Sequence, residues 1–327
     1  MLRTRFTDLI GCTVPIQQAG LGSLANPKLA AAVANAGGQG MVSWNNMPPE
    51  VLTAQLAEAR RQTQGIIGVN FLVPDLDDAR DYIGQCVDVA ATRANVIDFF
   101  WADPDAQLIE RAHAGGALVC WQVGSLAEAV AAANAGCDFI VVQGIESGGH
   151  VRGRVGLLAL LDQTLETVDV PVLAAGGIGT GRALAAVLAA GADGARIGTR
   201  FVVAEEAEAH PTYVQALIAA EAEDTVYTGA FSVGWPDAPH RCLRSAIEAA
   251  TAFEGDVVGE RFAAYEQKRV PVHRFQSMTA TQDTTGHIEA MSLWAGESVG
   301  GVKRLQPTAD IVSEIVGDAE TLLRRWA

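Results

Sequence analysis

Apolar residues along this chain fall into two rhythms. Short runs that are apolar or β-branched at nearly every position alternate with longer Ala-rich runs whose apolar positions recur at helical spacing. The first kind suits strands of a parallel sheet buried on both faces, and the second suits helices that cover such a sheet. Strands are expected at PIQQAG (15–20), QGMVSW (39–44), GIIGVNFL (65–72), VIDFFW (96–101), ALVCWQV (117–123), FIVVQG (139–144), PVLAAGG (171–177) and GARIGTRF (194–201). Helices are expected between them, as in NPKLAAAVANAG, PPEVLTAQLAEARRQ, LAEAVAAANAG and GRALAAVLAAGA. Several open on Asn, Pro or Ser and close on Gly, which is the chemistry of helix caps. Eight strands with seven intervening helices predict an α/β fold, a TIM (β/α)8 barrel. A doubly wound sheet is the rival, because a strand count does not establish closure.

After Phe201 the alternation stops. AEEAEAHPTYVQALIAAEAED reads as helix, TVYTGAFSVGWPDAPHRCLRSA is broken by Gly, Pro and Trp, and an irregular stretch runs to SMTATQDTTGH. In the last segment Ile311, Ile315, Leu322 and Leu323 return to helical spacing, as expected of a helix closing the barrel from below. The expected organisation is a barrel over 1–205 completed by a C-terminal helix at 305–327. Residues 206–304 would then form a smaller, mostly helical subdomain over the barrel mouth.

Composition narrows the function classes. A formal net charge of −15 opposes binding to nucleic acid, which needs clustered Lys and Arg. The five cysteines form no C-x-x-C pair and none has a histidine at metal-ligand spacing, so neither disulfides nor a metal site is expected. The N-terminus lacks an apolar signal core and no run is long enough to span a membrane, so a cytoplasmic protein is expected.

In a barrel the chemistry gathers at the carboxyl ends of the strands. Those ends carry Ala19-Gly20-Leu21, Trp44, Asn70, Trp101, Gln122, Gln143 with the loop GIESGGHVRG, Gly176-Gly177 and Gly198-Thr199. Neither a carboxylate pair nor a G-x-S-x-G elbow is present. The two Gly-containing turns after the seventh and eighth strands are suited to a phosphate, although GGIGTG also reads as a plain tight turn. Asn70, Gln122 and Gln143 offer the donors and acceptors that a flat heteroaromatic edge requires. His150 follows two glycines at the mouth, and is either a turn residue or a base. His240 is the other histidine of interest. Glu146 is an acid or a cap of loop N–H groups. Arg152 and Arg154 are solvated or meet an anionic substrate, and Trp44, Trp101 and Trp235 are pocket walls or core.

Taken together, VVQGIESGGHVRG and PVLAAGGIGTGRALAAVLAAGADGARIGTRF resemble the nitronate monooxygenase family, formerly the 2-nitropropane dioxygenases. The opening VPIQQAGLGSLANPKLAAAVANAGGQGMV and GVNF fit its first strands, with weaker matches at HRCLRSA and LWAGESVGG. The resemblance implies an FMN enzyme without a metal. It places His150 as the base, Gly176, Gly177, Gly198 and Thr199 at the phosphate, and Asn70, Gln122, Gln143, Ser147 and Gly149 around the ring and ribityl chain. Ala19, Gly20 and Leu21 stand at the first strand end, where the family often has Ala-Pro-Met. Ser147 replaces a usual Ala, and Glu297 replaces a common Gln and would bring a negative charge near the cofactor. The implied reaction is oxidation of alkyl nitronates by O2 to a carbonyl compound and nitrite; a homodimer is the expected assembly. The alternatives are an NAD(P)H-dependent flavin enoyl reductase acting on acyl or steroid-derived thioesters, using Arg152, Arg154, Arg241 and Arg244, and a flavin-free phosphate-binding isomerase.

Overall fold

The computed structural model describes residues 2–73, 76–263 and 267–325; the ends of the expected segments at residues 1, 326 and 327 lie outside them. Eight parallel strands close into a barrel in sequence order: Ile16–Gln18, Gln39–Ser43, Ile66–Leu72, Val96–Phe100, Leu118–Val123, Phe139–Gln143, Val172–Ala175 and Gly194–Ile197. The first strand pairs with the eighth, Gln17 opposite Arg196. Closure removes the rival open sheet. Helices cover the outside, and their caps are those the sequence announces. Asn26, Ser125 and Thr180 accept hydrogen bonds from Leu29, Glu128 and Ala183, while Gly136 ends one helix at φ +102°.

The eighth strand is shorter than expected. It ends at Ile197, and Thr199–Val202 turns into a short helix. The chain then leaves the barrel, and its eighth outer helix, Thr308–Leu323, comes only after that excursion. This helix packs beside Gly181–Ala189 and Pro27–Asn35, on the flank of the barrel rather than beneath it. The floor is made instead by Arg5–Ile10. Its Phe6 is fully buried against Phe139, with ring centroids 5.3 Å apart in an edge contact.

The excursion contains helices Pro211–Ala219 and Arg244–Ala252, and also two small antiparallel sheets. One sheet orders Thr225–Thr228, His240–Leu243 and Gly149–His150; the other orders Lys268–His273, Val257–Ala263 and Thr285–Gly286. The first sheet matters most, because it stitches the loop after the sixth barrel strand to the excursion, with His150 opposite His240. The strands Thr225–Thr228 and His240–Leu243 of this sheet have only four residues each, too short a period-2 signal to be seen in sequence.

Candidate active site

A cavity of about 640 Å³ opens at the carboxyl ends of the strands. Ala19, Gly20, Leu21, Asn70, Gln122, Gln143, Ser147, Gly149, His150, Gly176, Gly177, Gly198 and Thr199 all line it. Residues scattered over 181 positions of sequence are thus brought to one hollow by barrel closure.

One side of the cavity is a cradle of backbone. Gly176 and Gly177 have φ of +111° and +67°, a region that side chains rarely tolerate. A Cβ on Gly176 would lie 2.7 Å from Ser147 Oγ. That hydroxyl is buried with no hydrogen-bond partner among the described residues, and buried polar groups are normally satisfied. Gly148 crosses Gly296 so closely that a Cβ on Gly148 would fall 2.3 Å from the Gly296 nitrogen. The Gly296 nitrogen also donates to Thr199 Oγ1 at 3.0 Å, so the AGES segment is tied to the turn after the eighth strand. Gly198 itself is not sterically demanded, since a Cβ there would meet nothing closer than 3.5 Å. Opposite, a Cβ on Gly20 would lie 2.1 Å from Asn70 Oδ1. Glycine there lets the asparagine amide stand at the wall. An orphaned hydroxyl beside a side-chain-free turn, facing amides across a hollow, fits a phosphorylated heteroaromatic group.

Gln143 acts on the histidine loop. Its Nε2 donates to the His150 carbonyl at 2.9 Å and its Oε1 accepts from the Arg152 N–H at 3.2 Å. His150 therefore projects from a backbone held on both sides. Its ring sits among tryptophans, with centroids at 4.0 Å from Trp235, 5.5 Å from Trp294 and 5.7 Å from Trp101. Trp101 holds φ +87°, a strained conformation for a bulky residue and one frequent near functional sites. His150 Nε2 meets Ser277 Oγ at 3.0 Å, while Nδ1 is buried with no hydrogen-bond partner among the described residues. Burial, and secondarily the neighbouring His240, push the imidazole down to about 3, so it is neutral near pH 7. His240 is a satisfied core residue: Nδ1 faces the Ala238 carbonyl at 3.0 Å and Nε2 accepts from Phe231 N–H.

Several candidates from the sequence do other work. Glu146 accepts from the Leu157 N–H at 2.9 and 3.1 Å and caps that helix. Arg152 is engaged by Asp103 and by Glu128, the latter at 2.8 Å, and Arg154 is exposed; neither lines the cavity. Glu297 pairs with Arg241 at 3.2 Å instead of facing the hollow. Arg241 also donates to the Ile145 carbonyl, and Arg244 is exposed, so neither forms a cationic mouth. Trp44 is core, with its Nε1 donating to the Met47 carbonyl.

Sequence reasoning missed Arg196, Asp98, Ser277, Trp294 and Arg261. Arg196 and Asp98 form a buried ion pair at 2.6 Å inside the barrel, and Arg196 reaches the cavity floor. Their signal was present as a lone charge within each of the apolar runs VIDFF and GARIG. Arg261 lines the cavity with Phe262, whose side chain is exposed. Among the described residues no group of three or more His, Cys, Asp or Glu could hold a metal, and no helix is long and apolar enough to cross a membrane.

A family profile described as nitronate monooxygenase matches residues 3–318. The chain is 33% identical to a (3aS,4S,5R,7aS)-5-hydroxy-7a-methyl-1-oxo-octahydro-1H-indene-4-carboxyl-CoA dehydrogenase of Rhodococcus jostii, over 87% of this chain and 76% of that one. Its structure is similar to that of FabK from Thermotoga maritima, with TM-score 0.82 and 30% identity over 100% and 99% of the two chains. It is also similar to nitroalkane oxidase from Streptomyces ansochromogenes, with TM-score 0.77 and 27% identity over 98% and 99%.

Proposed function

The chain belongs to the nitronate monooxygenase family of flavin-dependent oxidoreductases, and we propose that it binds FMN in this cavity and oxidises alkyl nitronates with O2 to a carbonyl compound and nitrite. The observation that carries the proposal is the pairing of Ser147's orphaned hydroxyl at the Gly176-Gly177 cradle with the caged His150 across the hollow. A bound flavin would supply the electron-accepting centre and hand electrons to oxygen. In this reading Gly176, Gly177, Gly198, Thr199 and Ser147 hold the phosphate end. Ala19, Gly20, Leu21, Asn70, Gln122 and Gly149 border the ring and its chain. Gln143 contributes by pinning the His150 loop. A homodimer in the reducing cytoplasm belongs to the same proposal, and five free thiols suit that setting.

The state of His150 bears on the substrate. A neutral imidazole can accept a proton or a hydrogen bond, but charging it among tryptophans is unfavourable. A substrate that arrives already as a nitronate anion suits such a residue better than a neutral nitroalkane, because the anion itself offsets any charge the ring takes up.

A second reading, NAD(P)H-dependent reduction of an unsaturated acyl or steroid-derived thioester, is favoured by Arg261 and Phe262 in the cavity lining and by the FabK likeness and the CoA thioester in the name of the Rhodococcus relative. Membership of an oxidoreductase family sets the flavin-free isomerase aside. Anaerobic mixing separates the two flavin readings. Bleaching of the flavin absorbance by an alkyl nitronate supports the first, whereas no bleaching by nitronate with rapid bleaching by NADH or NADPH replaces it with the second. A protein that shows no flavin absorbance even after FMN is added sinks both.

A further inference from the structure

The Asp98–Arg196 pair is an unusual thing to find inside a barrel. Arg196 Nη2 lies 2.6 Å from Asp98 Oδ1, and the two side chains are 2% and 0% exposed. Stripping water from two charges is costly, and a buried pair is on its own weak evidence of stabilisation. What distinguishes this one is where its other hydrogen bonds go. Arg196 Nη1 donates to Gln122 Oε1 at 2.6 Å, and Nε donates to Gln17 Oε1 at 2.6 Å. Asp98 Oδ2 accepts from Asn70 Nδ2 at 2.6 Å, and Oδ1 accepts from Cys120 Sγ at 2.8 Å.

These bonds run in one direction only. A guanidinium has donors and no acceptor, and a carboxylate has acceptors and no donor. Gln122 must therefore turn its oxygen to Arg196, which leaves its NH2 for the cavity it lines. Asn70 must turn its NH2 to Asp98, which leaves its oxygen on the side of Gly20, where only a glycine leaves room for it. An Asn or Gln side chain ordinarily can present either end of its amide by a half-turn. Here the ion pair removes that freedom from two amides at once, with opposite outcomes.

We infer that Asp98 and Arg196 are positioning residues that lock Asn70 as an acceptor and Gln122 as a donor toward the cavity, a pattern complementary to the imide edge of a flavin, where a ring N–H stands beside carbonyl oxygens. The inference rests on the flavin reading above and adds to it what selects the ring's edge. It concerns hydrogen-bond polarity rather than stability, so its signature is spectroscopic.

The test reconstitutes the protein with FMN labelled with ¹⁵N and ¹³C in its pyrimidine ring. It compares the wild type with the charge-free double variant Asp98→Asn, Arg196→Gln, whose folding is checked by circular dichroism. In the wild type the ring N–H resonance is expected to be shifted by hydrogen bonding and slow to exchange, and a ring carbonyl to carry the signature of an accepted hydrogen bond. In the double variant both amides regain their half-turn, the N–H exchanges faster, and FMN binds about tenfold more weakly or worse. A folded double variant with wild-type ring resonances overturns the inference while leaving the flavin reading intact. Failure of the wild type to bind FMN overturns the flavin reading itself. Should the double variant not fold, Gln122→Glu gives the same information. It keeps an oxygen for Arg196 and replaces the donor by an acceptor, so FMN affinity is expected to fall about tenfold or more with loss of the carbonyl shift. Unchanged affinity and resonances in Gln122→Glu would refute the lock.

Discussion

His150 Nε2 and Ser277 Oγ stand 3.0 Å apart although 127 residues separate them in sequence. The contact joins the loop of the sixth barrel strand to the excursion, and it ties the ring to a side chain of that excursion. Replacing Ser277 by Ala leaves the cradle untouched and frees the imidazole to rotate within its cage. Ser277→Ala is expected to keep its flavin while the rate of anaerobic flavin reduction by substrate falls roughly tenfold, about the worth of one hydrogen bond. Stopped-flow absorbance measures both quantities, and an unchanged reduction rate would show that the serine does not orient the ring.

Gly176→Ala tests the cradle. The new Cβ would have to accept φ +111° and a contact of 2.7 Å with Ser147 Oγ, a strain of order 1–3 kcal/mol. The expected result is a variant with a lowered melting temperature and a flavin content reduced several-fold on purification. Gly198→Ala makes a useful partner, because its Cβ would have ordinary contacts at 3.5 Å or more and φ is not positive. It should cost clearly less stability than Gly176→Ala. Equal losses in the two would mean that crowding at the turn is not what the glycine avoids.

The unequal demands on these two glycines show how far sequence carries. Strands such as FIVVQ and VIDFF are legible because burial on both faces leaves uninterrupted apolar runs. The cavity residues were legible because each sits where such a run ends. What the pattern hid is contact between distant segments. Gly148 against Gly296, Gln143 against the His150 loop, and Ser277 against His150 all depend on the excursion folding back, and no local period encodes that. Asp98 and Arg196 were visible as lone charges in apolar strands, yet only barrel closure reveals that each faces the other. The ion pairs of Arg152 and Glu297 were hidden for the same reason: their partners, Glu128 with Asp103 and Arg241, lie on other elements.

Acid should unfold the flavin-free protein partly through His150. Its folded pKa of about 3 lies below the ordinary value of 6.5, so the unfolded chain binds this proton more readily than the native one. The favourable state is the neutral ring, fully so above pH 6.5. Stability attributable to the site is therefore lost as pH falls from 6.5 toward 3, by an amount of order a few kcal/mol. His150→Asn removes this proton uptake, and its denaturant-unfolding free energy should decline less steeply than that of the wild type across this window. Parallel slopes for the two proteins would show that the ring is solvated rather than caged.

Arg261 distinguishes the two substrate classes. Among the described residues it is, beside Arg196 whose charge is matched by Asp98, the other Lys or Arg side chain lining the cavity, and its neighbour Phe262 is exposed. The protein as a whole carries a formal charge of −15, so it repels anionic ligands at long range and needs a local cation to hold one. A coenzyme A thioester brings phosphates on a long arm and has to rest that arm outside the flavin site. A small nitronate reaches the ring without passing its charge to the rim. Arg261→Ala should thus raise KM for a thioester substrate about tenfold with kcat little changed, the mark of a binding contact shared by ground and transition states. Added salt should raise the wild-type KM and narrow the difference, because screening weakens a rim contact. Nitronate turnover should respond to neither change. A variant whose thioester KM matches the wild type at low salt would remove Arg261 from substrate binding and leave the small-anion reading as the one the cavity supports.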